Sequence, residues 1–505
     1  MHLIPQLVPT WPKLAWVAEI AKGSDEVRVY HGPMVETADD WVVEAVWAGD
    51  FAAGDFDRTD LVFGSGVRLR GNTLVFVSAG STLDRLCYSR SATTYRVSNS
   101  LGALLSRARL WLRDDYPDYG TDIKAICRGL QAYKRSLPTT GSAVELVYFN
   151  NLLSDGQALR ETEKPDAAPR FERFGDYHGY LLRAASRIAE NAADRARTYP
   201  VSLLTSISSG YDSVASTVLA RRVGCNRAVT ITSSTSLWRG SDSGAGIAEL
   251  LGLECRSYPR TSSRFPCEES VWAVAGRPGL VNWTLFDYPE PLCVFFTGCH
   301  GDKMWERTTR PLADPFAIPS VAQLGFSEYR LLQGVFHCPV PHWGTRHVDE
   351  IHRLSAGQEM EPWTLHKHYD RPIARRIAEE AGVPRRAFGQ RKRNTAHEAE
   401  FLWPYSQESK ERFALYLRHR GIEPPSNAWV KAARRLSHWD NLVYMNLTKP
   451  LGFDLGLRRR LHHPGSALIF QWANHELKKR YERGLRETEN ADTDAQATRT
   501  RAART

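Results

Sequence analysis

Hydroxyls, a glycine and an aspartate crowd between an apolar stretch and a helical one in TSISSGYDSVAST, Thr205 to Thr217. If VSLLTSI is a strand and DSVASTVLARRVG a helix, the turn between them gathers backbone N–H groups at the positive end of the helix. Such a point attracts anions. Ser208, Ser209 and Ser213 add hydroxyl donors around Gly210. Asp212 would repel a phosphate it touched directly. It makes sense as a ligand of Mg²⁺, which bridges oxygens of an ATP polyphosphate. No GxxxxGK followed by Ser or Thr occurs, so this is not a Walker-type loop, and no GxGxxG dinucleotide fingerprint is present. A serine-rich helix cap with an aspartate is the plainer reading of the same residues.

Three later segments bear on that choice: FFTGCHGDKMWE about 90 residues on, then SAGQEMEPW, then GVPRRAFGQRKRNTAH. Ser208-Ser209-Gly210-Tyr211-Asp212-Ser213 resembles the SGGxDS loop of PP-loop ATP pyrophosphatases, which cleave ATP between the α and β phosphates. Ser209 replaces the first glycine. The other three segments resemble, in order, motifs of the asparagine synthetase-like ligases. Thr297 and Gly298 fall on the Ser-Gly pair that contacts the nucleotide in the SGEGxDE loop, and Asp302 falls on its Mg²⁺-pyrophosphate aspartate. Cys299, His300 and Lys303 depart from that pattern. SAGQEMEPW is similar to GLExRxPF with one residue fewer, so the catalytic glutamate is Glu359 or Glu361, with Glu359 favoured. Counted from Pro384, Lys392 lands on the catalytic lysine of LPxxxxxRxK, while Gln390 stands where that family has arginine.

The resemblance implies an ATP-dependent carboxylate–amine ligase with ATP and Mg²⁺ as cofactors. A small-molecule or peptide carboxylate would be adenylated, releasing pyrophosphate, and ammonia or a substrate amine would then displace AMP. Glu359 would act as base or orienting group for the amine. Lys392 would hold a fixed positive charge near the oxyanion and the phosphate. Without the resemblance, a lysine in a basic run and a helix-flanking glutamate are ordinary solvated residues.

The elements that must position these groups follow from periodicity. From Val201 the chain alternates strand and helix: VSLLTSI, DSVASTVLARRVG, RAVTIT, DSGAGIAELLG, LECRSYP, with PLCVFFTG as a further strand. That alternation predicts an α/β fold with a parallel, doubly wound sheet, followed by a more helical part beyond about Val321. Residues 1 to about 150 read as β-rich, with short alternating runs such as DLVFGSGVRLRGNTLVFVSAG. This part resembles the Ntn-type glutamine amidotransferase domain of the same family. No cysteine precedes Cys87, so an N-terminal thiol nucleophile is not expected, nor is glutaminase activity. Related β-lactam synthetases and lasso-peptide cyclases share that loss. The expected organisation is an amidotransferase-like domain over 1–152, a linker over 153–176, the ligase domain over 177–480 and a disordered tail over 481–505.

The chain has 505 residues, 42% of them hydrophobic and 24% charged, which suits a globular protein with a sizeable core. Its eight cysteines form no CxxC pair, which argues against a zinc ribbon or redox pair. No stretch approaches a membrane span, so no membrane partner is expected and a cytoplasmic location is the default. The formal charge of +9 favours anionic partners. A PP-loop enzyme acting on tRNA is therefore one alternative, although nucleic acid is not the favoured partner; a non-catalytic nucleotide-binding scaffold is another. His337, His342, His347 and His352 recur every five residues, a spacing that does not share a helix face, so a metal site is not expected there.

Overall fold

Three sheets organise the chain in a computed structural model, which describes residues 1–232, 241–259, 267–274, 281–308, 311–318, 324, 326–367, 369–390, 401–443 and 463–502. The first two are a seven-stranded sheet, with segments from His2–Leu7 to Val144–Val147, and a six-stranded sheet, with segments from Glu36–Ala38 to Leu159–Thr162. They are mostly antiparallel and lie face to face. Trp16, Val27 and Val97 from one meet Val42, Val67 and Phe76 from the other in a shared apolar core. The alternation that predicted these strands has a direct cause: successive side chains point to opposite faces, and one face is buried.

The third sheet is parallel throughout, and we number its strands. They are β1 (Val201–Ser206), β2 (Arg227–Ile231), β3 (Glu254–Tyr258), β4 (Leu292–Thr297) and β5 (Val335–Pro339), in the spatial order β3-β2-β1-β4-β5. β1 is the central strand and β4 lies beside it. The chain leaves β1 toward β2 on one side and returns from β3 to β4 on the other. The gap beyond the carboxyl ends of β1 and β4 is therefore the place where open α/β sheets bind ligands.

Helix α1 (Phe174–Ala192) precedes β1, α2 (Tyr211–Arg222) follows it, and α3 (Ala245–Leu250) follows β2. α2 buries Val214, Val218 and Leu219, each contributing about 1.5–3 kcal/mol by leaving water. It stops where Gly224 takes φ +91°. Helices α4 (Val348–Ala356), α5 (Pro372–Glu380) and α6 (Ile469–Ala502) lie beyond β5.

Two expectations are corrected, and one strand is added to the helical part. The presumed linker over 153–176 begins as structure: Asn151–Ser154 and Leu159–Thr162 pair as a hairpin that completes the six-stranded sheet. Asp155 makes its turn by accepting from the N–H groups of Gln157 and Ala158, with Gly156 at φ +84°. The tail expected to be disordered from 481 continues α6 instead. Tyr481 is buried edge-on against Trp11, with ring centroids 5.0 Å apart, so the first part of that polar stretch is carried by packing. The strand β5 lies in the part read as mainly helical; its proline and histidine hid a segment that is buried along its whole length.

The β-sandwich and the parallel sheet are joined by buried charges. Arg330 pairs with Glu44 at 2.8 Å and with Asp84 at 2.9 Å. Glu328 accepts from the Ser100 hydroxyl at 2.9 Å and from the Leu101 N–H at 3.0 Å. No helix among the described residues is long and apolar enough to cross a membrane.

Candidate functional site

The turn from Ile207 to Gly210 is made by its own serines, which offer the backbone an alternative to continuing the strand. Ser208 Oγ accepts from the Gly210 N–H at 3.1 Å and lies 2.8 Å from Ser213 Oγ. Ser213 Oγ also accepts from the Ser208 N–H at 3.0 Å. The two hydroxyls thus hold the turn that starts α2. Ser209 faces the other way. Its hydroxyl donates to Asp242 Oδ1 at 2.5 Å and its N–H to the Asp242 carbonyl at 3.1 Å, which ties the turn to the segment after β2.

The loop after β4 packs directly on the first turn of α2. A Cβ at Gly298 would come within 2.5 Å of the Asp212 carbonyl carbon and the Ser213 nitrogen, and one at Gly301 within 2.3 Å of Asp212 Cγ. Only glycine permits that approach. Gly298 and Asp212 are therefore neighbours. Thr297 is turned inward: it is fully buried and its hydroxyl lies 2.9 Å from His337 Nε2. Asp302 sits in the one-turn helix Gly301–Met304.

Arg371, one residue before α5, reaches the side chain of Asp212 and the main chain of Asp302. Its Nε lies 3.3 Å from Asp212 Oδ1, and its NH2 donates to the main-chain oxygen of Asp302 at 3.2 Å. Burial alone would lower its pKa; Asp212, then Tyr369 and Asp302, reverse the sign and raise it. Both aspartates act on the same buried guanidinium, so they share one electrostatic neighbourhood. Mg²⁺ is usually held by one or two carboxylates plus substrate oxygens, and Asp212 and Asp302 are the acidic side chains at this position. No group of three or more His, Cys, Asp or Glu among the described residues could hold a metal ion.

The segment leading to Lys392 reaches the same turn. The Gly389 N–H donates to the Ser209 carbonyl at 2.8 Å. Gly389 takes φ +61°, and a Cβ there would strike the Tyr211 ring at 2.4 Å. The Tyr211 ring lies between Tyr369 at 4.9 Å and Phe388 at 5.9 Å, and its hydroxyl accepts from Arg375. Lys392 itself lies outside the described residues.

Glu359 has other partners. Its carboxylate accepts from the Phe174 N–H at the start of α1 at 3.0 Å and from Arg376 at 2.9 Å. The helix N–H and the guanidinium hold its pKa below the usual carboxylate range. Glu361 faces His366 at 2.8 Å on an exposed surface. Neither glutamate touches the turn or the loop after β4. The four histidines spaced by five also diverge: His337 meets Thr297, His342 packs at a tilt against His300 with ring centroids 5.0 Å apart, His347 lies 3.1 Å from Asp166, and His352 lies 2.8 Å from the Lys303 carbonyl.

Sequence reasoning missed Arg371, Asp242, Tyr369 and Gly389. Arg371 stands in DRPIARR, where no spacing separates it from its solvated neighbours. Asp242 lies in SDSG, which reads as a turn. Comparison of the chain with models of protein families and with curated proteins finds no match.

Proposed function

We propose that this protein is an ATP-dependent carboxylate–amine ligase of the asparagine synthetase-like kind. The observation that carries the reading is the convergence at the β1/β4 gap. There the Ser208–Ser213 turn is met by Gly298 from the loop after β4 and by Gly389 from the segment before Lys392. These are three of the four segments singled out in the sequence, and the gap lies at the carboxyl edge of a parallel sheet.

In this reading the turn shapes the site with its own N–H groups bonded internally, and the first N–H groups of α2 bind the pyrophosphate part of ATP. Asp212 and Asp302 would hold Mg²⁺, which supplies positive charge to the phosphate oxygens. A substrate carboxylate oxygen bonds to the α-phosphorus as the bond to pyrophosphate breaks. An amine nitrogen, or ammonia, then bonds to the acyl carbon, AMP leaves, and the nitrogen gives up a proton. Lys392 is assigned to the oxyanion of that second step and Glu359 to the amine.

Exchange of ³²P-pyrophosphate into ATP, with a panel of carboxylic acids, tests the proposal. Acid-dependent labelling of ATP is the expected outcome. Absence of labelling with every acid, together with no ATP binding in equilibrium dialysis, would remove it.

A further inference from the structure

The helix Asn427–Val443 buries one side: Val430 and Ala433 join the main apolar core, and Ser437 and Asp440 are buried beside them. Its outer side is not the polar one expected of a surface helix. Trp429, Leu436 and Trp439 are 38%, 55% and 62% exposed. No other tryptophan among the described residues is exposed. Spacings of seven and three residues put the three side chains on one face, as a stripe about 15 Å long. Exposed apolar surface gathered in this way marks an interaction site.

The charge around the stripe has one sign. Lys431 and Arg435 stand exposed beside it, and the sequence from Asn427 to Trp439 holds no acidic residue. Lys410, on the preceding helix Gln407–Arg418, feels the same cations: burial first, then Arg434 and Lys431, hold its ammonium below the usual lysine range. Glu268 opposes them from the interior. Its carboxylate is buried and accepts from Trp272 Nε1–H and from the N–H groups of Tyr405 and Ser406. The surface therefore asks for an anionic partner with apolar side chains.

Helix geometry narrows the occupant. The ridge opposite the buried side carries Ala428, Lys431 and Arg435, all exposed. The apolar stripe runs along the shoulder between that ridge and the body of the chain. At its near end Trp429 leans on Phe401 and His463, with ring centroids 5.4 and 5.9 Å away. A flat bilayer resting on the ridge would meet the cations and leave Trp429 out of reach. A second copy related by a two-fold axis would bring Lys431 and Arg435 against their own kind. A peptide helix lying along the shoulder meets the stripe and the cations together.

We propose that this shoulder is a docking surface for an acidic amphipathic peptide segment. Apolar side chains of the segment, at helical spacing, pack on Trp429, Leu436 and Trp439, and its carboxylates face Lys431 and Arg435.

The test is selection of phage-displayed random peptides of about 16 residues, roughly four helical turns, on the full chain without ATP. Enriched sequences should combine Asp or Glu with apolar residues three and four apart. As soluble peptides they should change the tryptophan fluorescence and bind more weakly as salt is raised. Trp439→Ser should weaken binding at least about tenfold, a loss of about 1.4 kcal/mol. Lys431→Glu combined with Arg435→Glu should do the same. All three side chains are exposed, so the variants should keep the wild-type thermal unfolding midpoint. No enrichment, enrichment of basic peptides, or binding indifferent to Trp439→Ser would overturn the proposal. Sedimentation with phosphatidylglycerol vesicles that Trp439→Ser abolishes would give the surface to lipid instead. A dimer in sedimentation velocity that Trp439→Ser dissolves would give it to a second copy. None of these results depends on the pyrophosphate-exchange reading.

Discussion

Nε of Arg371 lies 3.3 Å from Oδ1 of Asp212, and the same guanidinium reaches the main chain of Asp302. An arginine thus contacts both residues assigned to Mg²⁺, one through its carboxylate and one through its main chain. The Arg371 side chain is 5% exposed, so its removal leaves Asp212 beside a gap in the local charge. Arg371→Met is expected to destabilise the protein by about 1–3 kcal/mol in urea unfolding. Added Mg²⁺ should recover more stability in the variant than in the wild type, because a bound cation replaces the lost charge. Equal Mg²⁺ effects on both proteins would separate Asp212 from the metal.

Ser209 stands where the PP-loop pattern has glycine, and its side chain is directed to Asp242, away from Ser208 and Ser213. It is therefore a tether of the turn. Ser209→Gly should weaken ATP binding by loosening the turn from the segment after β2, with a stability loss of about 1 kcal/mol for one hydrogen bond. Tighter ATP binding by Ser209→Gly would show that the side chain obstructs the phosphate.

Glu359 caps α1 through the Phe174 N–H and holds Arg376. Its folded pKa lies below the usual range, so the stability it contributes is present above that range and lost as pH falls through the folded value. Glu359→Gln should cost about 0.5–1 kcal/mol at pH 7, toward the low end because the side chain is 45% exposed. The gap between variant and wild type should close as pH drops below the carboxylate range. A pure capping role leaves pyrophosphate exchange and amide formation unchanged; loss of amide formation alone would mark Glu359 as the group that serves the amine.

Lys164 supplies a pH dependence of the same sign in a higher window. It is buried beside Asn151 and Asp60, and desolvation pushes its pKa from 10.5 down to about 7. Between those values the unfolded chain binds the extra proton. Stability therefore rises with pH through that window, by up to about 1.4 kcal/mol per unit. Asn151 keeps the Ser78 N–H when the ammonium is removed. Lys164→Met should be more stable than the wild type at pH 7, and the difference should shrink by pH 10. An unchanged slope in urea unfolding between those pH values would show that Lys164 stays charged.

Much of the parallel sheet was legible because its strands and helices announce themselves locally. DSVASTVLARRVG carries its own glycine stop, and RAVTIT its own β-branched run. The β5 segment VFHCP does not; it becomes a strand through its pairing with β4, a relation no local pattern encodes. Tyr481 shows the same limit in α6, where a polar stretch is ordered by one aromatic ring packed on Trp11. At the candidate site, spacing picked out residues on the turn and on the loop after β4. It could not find Arg371 or Asp242, because a charged residue earns its place there from partners distant in the chain.

The contact between Gly298 and the first turn of α2 gives the sharpest steric prediction. A Cβ at Gly298 would lie 2.5 Å from backbone atoms of Asp212 and Ser213, and backbone cannot rotate aside. At Gly210, inside the turn itself, the nearest atom to an added Cβ is the Ser208 hydroxyl at 3.3 Å, and the backbone is extended at φ −81°. Gly298→Ala should therefore part β4 from α2 and cost about 1–3 kcal/mol, as overpacking does. Gly210→Ala should leave stability within about 0.5–1 kcal/mol of the wild type. Nucleotide binding then distinguishes the roles of the two glycines. Loss of ATP binding in a stable Gly210→Ala protein places the phosphate against the turn, where the new methyl group stands. Full ATP binding by Gly210→Ala, with loss only in Gly298→Ala, would move the phosphate toward the loop after β4.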